Sequence, residues 1–214
     1  GDPSQLDYWD ELLADRGAFI ILHRIRAIQE LERFAARVHS RLTHSAEILR
    51  LSYLPSYDPK PISAGQYSLN LRSTAQNSSL DFSQIKQGFL SRLQQSRNEE
   101  IQRGVTISGP HRDELRFLSN TVDLGDFGSR GQIRTTMLSL KLAELTWIKD
   151  RTGEWPVLLL DEIMAELDTQ RRADLQAYLI ESDQQVLLTT TDNHLFTPEF
   201  NQVCTLWQVH QGQI

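Results

Sequence analysis

Four acidic residues stand close together at the end of the most apolar strand that the sequence predicts. In the segment WPVLLLDEIMAELD (155–168) they are Asp161, Glu162, Glu166 and Asp168. In open parallel sheets, ligands bind beyond the carboxyl ends of the strands. An Asp at that position can hold a hydrated Mg²⁺, and the Glu after it can orient or activate a water molecule. The pattern favours nucleotide hydrolysis, although acids at the start of a helix also occur for capping alone.

A second candidate site is the loop Ser129-Arg130-Gly131-Gln132, which opens a long apolar helix. Backbone N–H groups at a helix N-terminus attract phosphate, and the serine hydroxyl adds a donor. Such a loop also serves as an ordinary helix cap, so its position in the chain carries more weight than its residues. It precedes the Asp-Glu strand by about 30 residues, and AELD (165–168) follows that strand. ABC-type ATPase heads place their signature loop, Walker B strand and D-loop in this order.

The elements that would position these sites alternate between strands and helices over residues 104–214. In chain order we expect strands at 105–109 and 114–119, a helix at about 132–150, a strand at 157–160, a helix at 170–181, and strands at 185–190 and 203–210. The strand at 157–160 is apolar on both faces, and the helix at 132–150 is apolar nearly all round. Both features indicate a parallel sheet covered by helices.

Residues 1–103 carry the pattern of a helical lobe. An apolar residue recurs every seven positions at Ile21, Ile28, Ala35 and Leu42. This spacing predicts one long amphipathic helix over about 5–50, or two helices with a break near Gly17.

A second helix is predicted from its cap, Asp81, to about Gln102, with Gly104 as its stop. The stretch before it, 52–80, is rich in Pro, Ser, Gly and Asn. We expect loops there, around one short strand at 67–72.

Composition excludes several classes of protein. The chain is 39% hydrophobic and 23% charged, which is typical of a globular protein and not of a disordered one. Its single cysteine, Cys204, rules out an internal disulfide. No apolar run approaches the roughly 18 to 20 residues that a membrane span needs, and the first residues lack the pattern of a signal peptide. We therefore expect a soluble cytoplasmic protein with no membrane partner.

The net charge of −6 argues weakly against nucleic-acid binding, but the charge is unevenly distributed. Residues 16–50 contain seven arginines and three acidic residues. Four of these arginines lie within about 100° of one another on a helix of 3.6 residues per turn: Arg26, Arg33, Arg37 and Arg41. This arginine stripe is either a solvated helix face or a surface that contacts DNA phosphates.

Three segments together resemble the RecF family of bacterial recombination mediators, relatives of the SMC ATPases. They are ISGPHRDEL (107–115), GSRGQIRTTMLSLKLAEL (128–145) and LLLDEIMAELDTQRR (159–172). The stretch at 8–31 is similar to the family's helical arm, so the resemblance runs from end to end. It implies an α/β fold, the C-terminal part of a P-loop (ABC-type) ATPase head with a helical arm lobe. Thr191 stands where many ABC-type heads carry a histidine.

The resemblance also implies roles for individual residues. The protein would bind ATP and Mg²⁺ and form an ATP-dependent homodimer, with each nucleotide between one subunit's P-loop and the other's signature loop. Asp161 would be the Mg²⁺ carboxylate and Glu162 the base that polarises the attacking water. The signature loop would contribute Ser129, Gly131 and Gln132, and Asp168 would lie at the dimer seam.

The partners implied are DNA and the other mediators of the same pathway. The dimer would bind double-stranded DNA near gaps and, with RecO and RecR, help to load RecA on single strands. Its processes would be DNA replication, recombination, repair and the SOS response, with slow hydrolysis as a timer that releases DNA. His111 and Arg112 match a family motif; they either contact nucleotide or DNA or belong to a local salt bridge.

The P-loop motif G-x-x-x-x-G-K-[ST] does not occur in the sequence. In the RecF family that loop lies near the N-terminus, before the arm. We therefore expect this chain to be the C-terminal part of a longer protein and to have little or no ATPase activity alone.

Two other classes of function fit parts of the sequence. One is a non-enzymatic module that only binds DNA or protein, against which the presence of Glu162 argues. The other is a metal-dependent phosphoesterase that would use the cluster of Asp161, Glu162 and Glu166 without ATP.

Overall fold

The computed structural model describes residues 5–57, 81–211 and 213. The chain divides into two compact units, and each is built from two stretches of sequence. The first unit is Gly1–Arg33 with Leu49–Phe127, and the second unit is Phe34–Ile48 with Gly128–Ile214. These bounds differ from those of the predicted lobes, 1–103 and 104–214. The assignment of the lobes as arm and head stays a prediction.

Helix α1 (Gln5–Leu42) is continuous, so no break forms at Gly17. Gly17 instead allows a second helix to approach closely, since a Cβ on it would lie 2.5 Å from Cε1 of Phe89. The predicted apolar stripe faces the core, with Ile21 and Leu42 buried. The helix ends at Leu42 and not near residue 50, because the chain then turns and enters a strand.

The second helix of the first unit, α2 (Phe82–Arg103), begins and ends where the sequence predicts. Asp81 is its N-cap, and Gly104 adopts the left-handed conformation (φ 66°) that ends it. Its buried residues Ile85, Phe89 and Leu93 lie on one face.

The first unit also contains a small antiparallel sheet in the order β1-β2-β3. Its strands are β1 (Leu49–Leu54), β2 (Glu114–Ser119) and β3 (Val122–Asp123), and a short helix α3 (Leu124–Phe127) follows. Strand β2 confirms the prediction at 114–119, whereas β1 was not predicted.

The predicted strand at 105–109 is wrong, because that segment forms bends and irregular backbone. The Ile107 N–H donates to Oε1 of Glu100 at 2.8 Å and not to a neighbouring strand. The strand predicted at 67–72 lies outside the described residues.

The second unit alternates helices with two strands. In order they are α4 (Arg130–Thr152), β4 (Leu158–Asp161), α5 (Ile163–Glu166), α6 (Thr169–Ile180), β5 (Val186–Thr189) and α7 (Pro198–Val203). Strands β4 and β5 are parallel, and their register pairs Asp161 with Thr189. This confirms the predicted parallel pairing and sets both strand ends at one edge.

Only one face of β4 is covered by described residues. Leu158 and Leu160 are buried with Leu142 and Leu175, while Leu159 between them is 69% exposed. Helix α4 likewise leaves Met137 exposed. The expectation that helices cover both faces of this strand, and surround α4, is therefore wrong for the described part of the chain.

The final strand predicted at 203–210 is also wrong. Residues up to Val203 belong to α7, and the next described residues form a single isolated bridge, between His210 and Gln213. Trp207 and Val209 are exposed and so lack the buried face that would anchor a strand.

None of the helices in the described ranges combines the length and the apolar character needed to cross a membrane.

Candidate functional site

One hydroxyl on the neighbouring strand contacts both residues of the Asp-Glu pair at the end of β4. Thr189, the last residue of β5, donates its hydroxyl to Oδ1 of Asp161. The same hydroxyl oxygen accepts the backbone N–H of Glu162 at 3.1 Å. Thr189 therefore fixes the Asp161 side chain and the Glu162 backbone together at the carboxyl edge of the parallel pair. Sequence reasoning did not single out Thr189.

Glu162 adopts a left-handed backbone conformation, with φ 51° and ψ 16°. For a residue other than glycine this conformation costs roughly 1–2 kcal/mol, and such strain concentrates at functional sites. The conformation turns the chain sharply between β4 and α5. No glycine or asparagine marks this turn, so its geometry was not predictable from the sequence.

The loop that opens α4 is closed by a reciprocal pair of side-chain contacts. Oγ of Ser129 accepts the N–H of Gln132 at 3.2 Å, and Oε1 of Gln132 accepts the N–H of Ser129 at 3.0 Å. This capping box satisfies two of the backbone donors. The first N–H groups of a helix have no partner within it, so those of Arg130 and Gly131 suit an anion.

Gly131 lies beside a guanidinium group that also holds Asp168. A Cβ on Gly131 would lie 3.3 Å from Nη1 of Arg171. That same nitrogen lies 2.7 Å from Oδ2 of Asp168, whose Oδ1 accepts the N–H of Arg171. The backbone hydrogen bond from Arg171 lowers the pKa of Asp168. Arg171 thus pairs with Asp168 and lies beside Gly131 at the start of α4.

Two further arginines brace the segment between the Asp-Glu pair and Asp168. Nη1 of Arg134, on α4, donates to the Glu166 carbonyl at 3.1 Å, and its Nε lies 3.5 Å from the Glu166 carboxylate. Arg172 donates to the carbonyls of Met164 and Leu167, both at 3.0 Å. Arginine side chains usually lie on the protein surface. The sequence therefore gives little indication that these two bind backbone carbonyls.

No protein-family model matches the chain. Among curated proteins, the DNA replication and repair protein RecF of Chloroflexus aurantiacus is 36% identical over 211 residues, covering 99% of this chain and 50% of the relative. The RecF of Halothermothrix orenii is 39% identical over 220 residues, covering 100% of this chain and 52% of that protein.

Comparison with solved structures also finds RecF proteins. A structure of the recombination mediator protein RecF with ATPrS in the RecFOR pathway matches with a TM-score of 0.71 at 30% identity, covering 90% of this chain and 47% of that one. A structure of RecF with ATP matches with a TM-score of 0.68 at 31% identity, covering 89% and 46%. The chain belongs to the RecF family. Its fold is the α/β fold of the P-loop, ABC-type ATPases, and it spans about half the length of the curated relatives it matches.

The oxygen donors at the end of β4 suit Mg²⁺. This ion prefers oxygen ligands and usually takes one or two carboxylates together with water and phosphate. Asp161 is exposed and adjoins the Thr189 hydroxyl. Within the described residues, no three His, Cys, Asp or Glu side chains are grouped to hold a metal ion. Asp161, Glu162 and Glu166 thus form no three-ligand cluster.

The RecF motif GPHRDE forms a turn that a buried carboxylate organises. Asp113 has a side chain only 2% exposed and lies 3.0 Å from Nη1 of Arg24. It also accepts hydrogen bonds from the Tyr53 hydroxyl and from the Ser56 N–H. Burial raises the pKa of Tyr53, which therefore stays a neutral donor. Sequence reasoning missed Asp113 as the organising residue.

His111 and Arg112 lie on the exposed side of this turn, in a short 3-10 helix at Pro110–Arg112. Nε2 of His111 lies 3.3 Å from the Thr106 carbonyl. The salt bridge of the motif is made by Asp113 with Arg24. The proposed contact of His111 and Arg112 with nucleotide or DNA stays a prediction.

The arginine stripe of α1 is exposed at each of its four positions: Arg26, Arg33, Arg37 and Arg41. Arg41 pairs with Glu181 at 2.8 Å and lies over the Tyr178 ring. Arg37 lies over the Phe34 ring, 5.0 Å from its centroid.

Proposed function

We propose that this chain is the C-terminal half of a RecF-type ATPase that acts in DNA replication and repair. The observation that carries the proposal is the Thr189 bridge between Asp161 and Glu162 at the end of β4. The order of signature loop, Asp-Glu strand and D-loop supports it. So does the family membership, because the related structures contain ATP or ATPrS.

The proposed site is shared between two subunits. Each ATP lies between the P-loop of one subunit and the signature loop of the other, where Ser129, Gly131 and Gln132 form the helix N-terminus that faces phosphate. Asp161 would hold Mg²⁺, which neutralises the charge that develops on the transferred phosphoryl group. Asp168 would lie at the dimer seam.

Glu162 has the proposed role of general base. Its carboxylate accepts a hydrogen bond from the attacking water and orients it toward the γ-phosphate. The left-handed backbone at Glu162 favours this role over the non-enzymatic alternative, because backbone strain is concentrated at functional sites.

The proposed role extends to DNA in the bacterial cytoplasm. The exposed arginine stripe of α1 would contact the phosphates of double-stranded DNA near gaps. RecR together with RecO would be the protein partners, and the dimer would help them to load RecA. Hydrolysis would open the dimer and release DNA.

ATP-dependent dimerisation of the full-length protein tests the shared site. Because Glu162→Gln keeps the shape of the side chain but removes the base, the variant should bind ATP without turnover and accumulate as a dimer. Light scattering after size exclusion should report a dimer with ATP and Mg²⁺ and a monomer without nucleotide.

Gly131→Ala in the same Glu162→Gln background is the matched variant for this measurement. Its added Cβ would meet Arg171 at 3.3 Å and narrow the approach to the loop, so the dimer should weaken. A Glu162→Gln protein that stays monomeric at saturating ATP contradicts the proposal.

A further inference from the structure

A pair of ionisable residues, one fully buried and one partly buried, lies behind the signature loop. His39, in the last turn of α1, is fully buried, and its Nε2 lies 3.3 Å from Oε2 of Glu47. The other carboxylate oxygen of Glu47 accepts a hydrogen bond from Nε2 of Gln132 at 3.4 Å. All three residues belong to the second unit. The end of α1 is therefore connected to the signature loop through one carboxylate.

The second nitrogen of His39 contacts the same helix further along. Its Nδ1 lies 3.1 Å from Oγ of Ser139, and that hydroxyl also lies 2.7 Å from the Thr135 carbonyl. Burial lowers the pKa of His39, which favours the neutral ring. A neutral ring with its proton on Nε2 donates Nε2–H to Glu47, and its Nδ1 then competes with the Thr135 carbonyl for the single hydroxyl proton of Ser139.

Gln132 is held from two directions. Its Oε1 accepts the N–H of Ser129 in the capping box, and its Nε2 donates to Glu47. Its amide can satisfy both contacts in only one orientation. The backbone at the start of α4 is thus set from outside the helix by Glu47, which His39 in turn orients.

A buried ionisable pair adds little net stability compared with apolar residues of the same size. What such a pair supplies is a defined geometry, because each polar atom has few acceptable partners. Substituting residues that fix a loop in this way alters activity because the loop moves. A displacement of groups at the reaction site by about 1 Å can lower the rate on the order of 100-fold.

We propose that His39 and Glu47 are positioning residues for the signature loop. They hold Gln132 so that the backbone N–H groups at the start of α4 point toward the nucleotide bound by the partner subunit. The inference rests on the proposed function, and it adds that the end of α1 controls the loop that acts in trans.

Mixed dimers of the full-length protein test this directly. Two differently tagged chains are purified together, and Glu162→Gln inactivates the Walker B half of one chain. In the cis arrangement, His39→Ala and Glu162→Gln are in the same chain and the other chain is wild type. In the trans arrangement, the two substitutions are in different chains.

The proposal predicts unequal activities. In the cis dimer the one intact Glu162 faces the loop of the His39→Ala chain. Its ATP turnover should be about tenfold lower than that of the trans dimer. In the trans dimer the intact Glu162 faces an unaltered loop, and turnover should remain about half that of the wild-type dimer. Equal turnover of the cis and trans dimers overturns the inference.

Controls separate this outcome from failure of the proposed function. His44→Ala removes an exposed histidine that pairs with Asp174 at 3.0 Å, and its cis and trans dimers should match. If His39→Ala does not fold, Glu47→Gln replaces it, because it leaves one acceptor where two donors are present and should show the same inequality. A Glu162→Gln homodimer that still hydrolyses ATP sinks the proposed function, and the inference with it. An inactive homodimer with equal cis and trans activities overturns the inference alone.

Discussion

At the scale of single residues, Thr189 determines how the strand end can act. Its hydroxyl contacts the Asp161 carboxylate and the backbone N–H of Glu162, so the Asp161 side chain and the Glu162 backbone are held together before any ligand binds. Preorganised groups of this kind stabilise developing charge without rearranging during the reaction. The acids were recognisable from their place after an apolar strand. Thr189 was not, because it reaches Asp161 only through the pairing of β4 with β5.

His39 makes the stability of the protein depend on pH. Burial, the largest cause, lowers its pKa in the folded state, with Glu47 acting in the opposite direction and Arg171 in the same one. The unfolded state therefore binds a proton more readily, starting near the ordinary value of about 6.5. The contribution of His39 is complete above that value and is lost as the pH falls through the folded pKa.

We expect the free energy of unfolding of the wild type to fall more steeply between pH 7.5 and pH 5.5 than that of His39→Gln. Urea unfolding at the two pH values measures this, with His44→Gln as the control for loss of an exposed histidine. If wild type and His39→Gln lose the same free energy over this range, His39 is not buried as described.

At the scale of elements, local signals located some boundaries and long-range pairing decided others. Asp81 and Gly104 mark the ends of α2 in the sequence because caps act within one turn. Strand β1 was missed because its partner β2 lies about 60 residues later. The strand predicted at 203–210 has the right residue types, but in the described residues nothing pairs with it except the bridge at His210.

The packing of α1 on α2 predicts the sign of one substitution. Gly17→Ala should gain roughly 1 kcal/mol in helix propensity. Its Cβ, however, would lie 2.5 Å from the fully buried ring of Phe89, and overpacking costs about 1–3 kcal/mol. We expect net destabilisation of the first unit, measured as a lower free energy of unfolding in urea.

A second substitution controls for this interpretation. Phe89→Leu removes the ring atoms that the new Cβ meets. The free energy of unfolding lost through Gly17→Ala should therefore be smaller in the Phe89→Leu protein than in the wild type. A stabilising effect of Gly17→Ala in the wild type would contradict the close approach of α1 and α2.

At the scale of the whole molecule, this chain holds only part of the fold of its family. It has the loop at 129–132 and the Asp-Glu strand with AELD after it, but its sequence lacks a P-loop motif and spans about half the length of its curated relatives. One face of β4 is exposed at Leu159, as is Val157 just before the strand. Periodicity predicted an apolar strand correctly but could not show which face is covered, because the covering element need not be near in sequence.

Steady-state ATP hydrolysis by the full-length protein with DNA tests the central claim most directly. Glu162→Gln should reduce turnover at least 100-fold, since it removes the proposed base. Glu154→Gln is the matched control, because this exposed carboxylate precedes the opposite end of β4 and should leave turnover unchanged. Turnover by the chain alone should be negligible. Full turnover by Glu162→Gln, or turnover by the isolated chain that Glu162→Gln abolishes, would contradict the account.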